Sequence, residues 1–290
     1  MSASVSHLLP ASVEALQLPL KERIDYCFNE KWIAYPQAAE VLSELEHAFE
    51  RQRSTRPTNF ALIAPSNNGK STILKRFAKL HPVKLVDAQQ AVMAPCVLHL
   101  VMPSTPTESS LCSIILKALN IHHSERDPPM KKYAQVLRVL AYAEVRVLMF
   151  DEFNHIANAG RKAGQVLAML KNLCTEGQVT VVASGIETVR NALQSEDQIK
   201  NRFVILELKH WTMNPSYKKV VEAYERFLPL AEPSGLASSE LLPLIYGMAG
   251  DTIGGTVRLL QEAAAHALRT QKECIDAQML RSMPFRRYGT

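Results

Sequence analysis

The chain has 290 residues, 47% of them hydrophobic, and a formal net charge of +5 from 33 Lys and Arg against 28 Asp and Glu. That length can bury one large core and a smaller second one, and no apolar stretch approaches the roughly 18 residues that a bilayer crossing needs. Five widely spaced cysteines (Cys27, Cys96, Cys112, Cys174 and Cys274) without a Cys-x-x-Cys pair indicate neither a disulfide framework nor a zinc site, and the modest charge permits nucleic-acid contact without arguing for it.

Residues 1–10 are small and polar, end at Pro10, and read as a mobile tail. They lack a basic region followed by an apolar block, so no secretory signal and a cytoplasmic location are expected. Residues 11 to about 50 read as helical: Ile24, Cys27 and Phe28 share one face, and Val41, Leu42, Leu45 and Phe49 repeat at helical spacing. Trp32-Ile33-Ala34-Tyr35-Pro36 lies between those two helices, and the polar, Arg-rich stretch from Arg51 to Asn59 connects to the first core strand. Strand patterns at 60–64, 83–87, 97–102, 146–150, 179–184 and 203–208 then alternate with helical patterns at 71–80, 109–119, 131–143, 162–175 and 187–194. Such alternation predicts an α/β fold, a mostly parallel sheet covered by helices on both faces. Residues 215–290 carry helical patterns only and read as a small lid domain. The expected organisation is a tail and helical segment over 1–50, a nucleotide-binding core over 51–210 and a helical lid over 211–290.

The apolar run Phe60-Ala61-Leu62-Ile63 leads directly into Ala64-Pro65-Ser66-Asn67-Asn68-Gly69-Lys70-Ser71-Thr72. Strand, phosphate loop and helix in this order suit a polyphosphate. Gly69 lets the backbone come close, successive N–H groups from Ser66 to Thr72 point inward, Lys70 balances the β- and γ-phosphates, and the Ser71 hydroxyl can ligate Mg²⁺. The following helix, with Ile73, Leu74, Phe77 and Ala78 on one face, presents its positive dipole end to the same phosphates. Ala64 stands where such loops usually begin with glycine.

Val145-Arg146-Val147-Leu148-Met149-Phe150-Asp151-Glu152 is an apolar strand ending in two carboxylates. Asp151 is placed to hold Mg²⁺, and Glu152 to act as general base on the attacking water. Arg202, just before the last strand, could reach a neighbouring subunit's γ-phosphate, and Arg258, at the start of a C-terminal helix, could touch phosphate from within its own chain. Each could equally be a surface residue. Ser184 is the candidate for a polar sensor of the γ-phosphate, with Ile186 where Thr or Asn would suit that role better.

The order of these motifs resembles that of AAA+ ATPases, and the wording around them resembles the TniB/TnsC family of transposition regulators. Residues 23–36, the Asn-Asn-Gly-Lys-Ser loop at 67–71, Met-Phe-Asp-Glu-Phe-Asn-His-Ile at 149–156 and Asp-Gln-Ile-Lys-Asn-Arg-Phe at 197–203 carry the match. The resemblance implies an AAA+ sheet with a C-terminal helical lid, and ATP hydrolysis with Mg²⁺ at subunit interfaces. It also implies assembly as a ring or helical filament on double-stranded DNA, and a role linking a target selector of TniQ type to a transposase. By analogy Trp32 and Tyr35 border the adenine, a core aromatic pair being the other reading. Loops 103–109 and 124–132, with Thr105, Lys131 and Lys132, are then the candidates for sequence-independent phosphate contacts with DNA.

A helicase loader or insertion-sequence helper ATPase shares this core but usually lacks the Trp-Ile-x-Tyr-Pro segment. A small-molecule kinase shares the phosphate loop, yet the Asp151-Glu152 pair, Arg202 and the helical C-terminus suit hydrolysis between subunits better. A nucleotide-bound switch with little turnover differs only in its rate.

Overall fold

The computed structural model describes residues 6–87, 92–195 and 197–287. In chain order the helices α1 (Pro10–Ala15), α2 (Leu20–Phe28) and α3 (Pro36–Glu50) precede β1 (Asn59–Ile63) and α4 (Lys70–Leu80). Three short strands follow, β2 (Lys84–Asp87), β3 (Val92–Ala94) and β4 (Val97–Val101), then α5 (Glu108–Ala118) and α6 (Pro129–Tyr142). Next come β5 (Val147–Asp151), a 3-10 segment (Phe153–Lys162), α7 (Ala163–Gly177), β6 (Thr180–Gly185), α8 (Glu187–Gln194), α9 (Asp197–Lys200) and β7 (Phe203–Glu207). Among the described residues the chain then continues only in helices: α10 (Pro215–Glu225), α11 (Leu241–Ala249), α12 (Ile253–Arg269) and α13 (Ala277–Ser282). None of the described helices is long and apolar enough to cross a membrane.

Two compact units emerge. One holds Gln37–Ser66 and Lys70–Lys209; the other holds the chain up to Pro36, the three residues Asn67–Gly69, and everything from His210.

In the first unit five parallel strands lie in the order β4-β5-β6-β1-β7. β1, β5 and β6 are buried along their whole length, as expected for central strands that helices cover on both faces. Leu98, Leu111, Ile115, Val136, Phe150, Leu170 and Val181 belong to one continuous apolar core. The predicted strand over 83–87 does not join this sheet. It forms β2, which pairs antiparallel with β3 in a separate ribbon, because a short strand followed closely by another can satisfy its backbone locally without a crossover.

The second unit is helical. α2 packs along α12, and Arg23 grips Glu273 with two guanidinium nitrogens while its Nε donates to Pro229 O at 2.7 Å. Tyr35, Trp211, Tyr217 and Tyr246 form a chain of ring contacts with centroids 5.2, 6.1 and 5.3 Å apart. The expected mobile tail is partly tied down: residues 1–5 lie outside the described residues, but Leu8 is buried and the Leu9 N–H donates to Arg226 O at 3.0 Å.

Candidate nucleotide site

The parallel register brings the carboxyl ends of β1, β5 and β6 side by side, and with them Lys70, Asp151 and Ser184. Lys70 is 8% exposed, and its ammonium donates to Ala64 O at 2.9 Å and Pro65 O at 2.8 Å. Burial pushes its pKa down, while the nearby charges of Glu152 and Asp151 push it back up. The lysine therefore sits at the loop's base beside both carboxylates.

Asp151 is 5% exposed. Its Oδ1 accepts from the Ser184 hydroxyl at 3.1 Å and from the Glu152 N–H at 3.0 Å. His99 Nε2, from the neighbouring strand, stands 3.5 Å from Oδ2, near it but too far for a hydrogen bond. Burial raises the Asp151 carboxyl, but the His99 ring, the Ser71 hydroxyl, the Glu152 N–H and Ser184 outweigh it and hold the pKa down at about 2. The aspartate is thus ionised across the neutral range, with the Ser71 hydroxyl among the groups that lower its pKa. Hard oxygen donors of this kind suit Mg²⁺, which keeps most of its water and takes one or two protein ligands plus phosphate.

Glu152 follows in the left-handed region at φ 53°, which costs an L-residue about 1–2 kcal/mol. Its side chain is exposed, unlike that of its neighbour Asp151. Behind it, Asn154 Oδ1 is buried without a partner, 2.9 Å from where a Cβ on Gly185 would stand. Asn154 and His99 were not singled out from sequence. A lone histidine inside the apolar run Val97–Val101 was the available signal for the latter.

The tip of the phosphate loop, Asn67–Gly69, belongs with the helical unit. Asn67 (φ 59°) and Gly69 (φ 87°) both adopt left-handed backbone. Asn67 O accepts the Gly254 N–H at 3.0 Å, and Asn68 Oδ1 accepts the Ile253 N–H at 3.2 Å, at the first turn of α12. A Cβ on Gly254 would meet Asn67 Oδ1 at 2.1 Å, so the exposed Asn67 side chain would have to shift to admit one. A Cβ on Gly69 would come within 3.0 Å of the Tyr35 hydroxyl, a buried oxygen without a protein partner, whose pKa burial pushes up to about 12. A glycine cradle beside an unsatisfied hydroxyl fits a polar ligand such as a nucleotide. Trp32 is half-buried in the same unit, and Arg258 sits early in α12 with its guanidinium 5.5 Å from the Phe285 ring centroid. Ser66 and Thr72 are exposed on either side of the tip.

Arg202 is at the other end of the sheet. Its carbonyl accepts the N–H of Asn59, the first residue of β1, and its Nη1 donates to Thr175 Oγ1 at 3.1 Å. The five residues of β1 separate it from the phosphate loop by about 16 Å, so it cannot serve Lys70 of its own chain.

The DNA candidates divide. Thr105 is exposed, in a loop that His155 and Asn158 hold through bonds to Met102 O at 3.1 Å and Ser104 O at 2.9 Å. Lys131 is exposed and pairs with Asp127 at 2.8 Å. Lys132 is fully buried and donates to Ser109 Oγ, Ser113 Oγ and Glu125 O at 3.0, 3.1 and 3.2 Å. It holds α5 and α6 together and cannot reach DNA, which corrects the expectation from its position in the loop.

The family described as "Bacterial TniB protein" matches residues 23–213. No protein of curated function matches in sequence. The Aeropyrum pernix ORC1 protein, solved in complex with DNA, superposes with a TM-score of 0.64 at 15% identity, over 89% of this chain and 68% of that one. The Aeropyrum pernix ORC2 protein in ADPNP-ADP complexes gives 0.63 at 15% identity, over 88% and 69%. The Thermotoga maritima RuvB Holliday junction branch migration motor gives 0.55 at 14%, over 88% and 71%. At such identities the likeness concerns the fold, which is that of AAA+ ATPases.

Proposed function

Since the chain belongs to the bacterial TniB family, we propose that it is a DNA-associated ATPase that regulates transposition. In this reading it binds duplex DNA without sequence preference, assembles on it with ATP, and links a target selector of TniQ type to the transposase. One observation carries the ATPase half: a buried Asp151, bonded to Ser184, at the end of a buried strand beside Lys70.

Lys70 and the loop N–H groups hold the phosphates, and the Tyr35 hydroxyl offers a further contact at the loop tip. Ser71 and Asp151 are the residues to hold Mg²⁺, which when bound neutralises charge on the β- and γ-oxygens. Glu152 accepts the proton of the attacking water. Ser184 orients the Asp151 carboxylate, His99 stands beside it, and Arg258 is the candidate phosphate contact from the helical unit. Arg202, remote from its own phosphate loop, acts on the γ-phosphate of a neighbouring copy, which makes the active form an oligomer, ring or filament. Thr105 and Lys131 contact DNA phosphates. The solved DNA complex of ORC1 and nucleotide complexes of ORC2 support this reading only as neighbours in fold.

ATP turnover and duplex binding by wild type, Lys70→Ala and Glu152→Gln test the proposal. Lys70→Ala should lose ATP affinity and DNA-bound assembly together. Glu152→Gln should lose about 10²-fold in turnover while still assembling. ATP affinity unchanged within twofold in Lys70→Ala would sink the nucleotide site.

A further inference from the structure

The amino ends of the strands carry a second cluster of charge, at the end of the sheet opposite Lys70 and Asp151. Arg51, Arg53 and Arg56, from the connection between α3 and β1, converge with Arg146, which precedes β5, around a cleft of about 100 Å³. Gln178, at the end of α7, and Thr180, the first residue of β6, also line it. The arginines are held by neutral groups: Arg146 donates to Arg51 O, Arg53 to Val145 O at 3.2 Å and Arg51 to Thr58 Oγ1 at 3.3 Å. Arg146 also lies 5.3 Å from the Phe49 ring centroid. No carboxylate lines the cleft or pairs with these arginines among the described residues.

Each guanidinium has five N–H donors in a fixed fork, and each of these three uses one on a carbonyl or hydroxyl. Four like charges gathered without a counter-charge repel one another, and an anion that accepts several N–H groups removes the repulsion. The shape limits that anion. The adjoining cavity of about 370 Å³, which shares Arg53 and Arg146, contains Glu144, so a polyanion running through both would meet a carboxylate. The cleft suits a compact phosphate group. Arg202 does not line the cleft but is bonded next to its lining: Thr58 precedes Asn59, whose N–H binds Arg202 O, and Arg202 also bonds Thr175 in α7, whose C-cap is the cleft residue Gln178.

We propose that this arginine cleft receives the ATP phosphates carried by a second copy of the chain, alongside Arg202. The inference rests on the reading of Arg202 as acting between copies. One end of the sheet then carries the bound anion and the other the cations that receive it, a head-to-tail contact that closes into a ring or runs on as a filament.

Sedimentation velocity with a slowly hydrolysed ATP analogue tests this. Arg56→Glu is the primary variant, because among the described residues its side chain makes no bond within the chain, and Arg51→Gln is the second. Thermal unfolding checks that both remain folded. Nucleotide-driven self-association should require at least about tenfold more protein for each variant than for wild type. Variants that assemble like wild type overturn the assignment. So do variants that assemble normally but lose about one unit of salt slope in duplex binding, since the cleft is then a DNA backbone site. Wild-type protein that never associates with the analogue fails the ATPase-assembly reading itself, and the cleft with it.

Discussion

Ser184 donates its hydroxyl to Asp151 Oδ1 across 3.1 Å, with both side chains buried at the ends of adjacent strands. The bond gives the serine a task before any phosphate is considered. It orients the carboxylate that the nucleotide's metal would need, and it explains why Ile186, at the start of α8, can remain apolar.

Ser184→Ala should therefore raise the Mg²⁺ concentration needed for half-maximal turnover by about tenfold, since groups that orient metal ligands typically contribute 10–100-fold. ATP binding without metal should change little. An unaltered Mg²⁺ dependence, measured by titration at saturating ATP, would show that the serine faces the phosphate instead.

Asp151 also predicts how stability varies with pH. Its folded pKa of about 2 lies below the ordinary value of 3.8, so its contribution is present above about pH 4 and is lost as pH falls towards 2. Denaturant unfolding of wild type and Asp151→Asn should differ by a constant amount from pH 5 to 8, and the difference should shrink below pH 4. A gap that stays constant down to pH 2.5 would mean the carboxylate is not held by its neighbours as described.

Lys132 shows both what the sequence offered and what was passed over. Lys132, Val136 and Leu140 fall four residues apart and are the buried residues of α6, so the lysine occupies the apolar stripe of its own helix. Its adjacency to Lys131 suggested a basic pair, whereas helical phase sends the two side chains in different directions. Phase likewise made β1, β5 and β6 legible, because each is an apolar run ended by a motif. The pairing of β2 with β3 was not legible, since a short strand carries no local mark of its partner. The backbone bond from the loop tip to α12 was not legible either, since nothing in Asn67–Gly69 alone marks Gly254 as its partner. Lys132→Met should lower stability by about 1–3 kcal/mol, the cost of leaving Ser109, Ser113 and the Glu125 carbonyl without their donor. Its salt dependence of DNA binding should match wild type, whereas Lys131→Ala should lose about one unit of slope. A reduced slope in Lys132→Met with unchanged stability would restore the lysine to the DNA surface.

Arg202 makes the sharpest prediction, because the sheet itself separates it from the phosphate loop of its own chain. Arg202→Ala should bind ATP as wild type does and lose about 10³-fold or more in turnover, the effect of removing a trans-acting arginine in other NTPases. Mixing it with Lys70→Ala should restore part of the activity, since one kind of mixed contact joins an intact phosphate loop to an intact arginine. The Thr175 bond complicates this, because a guanidinium held at 3.1 Å in its own chain could also brace the end of α7. Thr175→Val separates the two roles: it removes the brace and leaves the charge. If Arg202 acts across the contact, Thr175→Val should keep most of the turnover, and the two arginine-loop mutants should complement at every mixing ratio tested. If Arg202 is structural, Thr175→Val should reproduce the loss, unfolding should shift in both single variants, and the mixture should stay as inactive as its components.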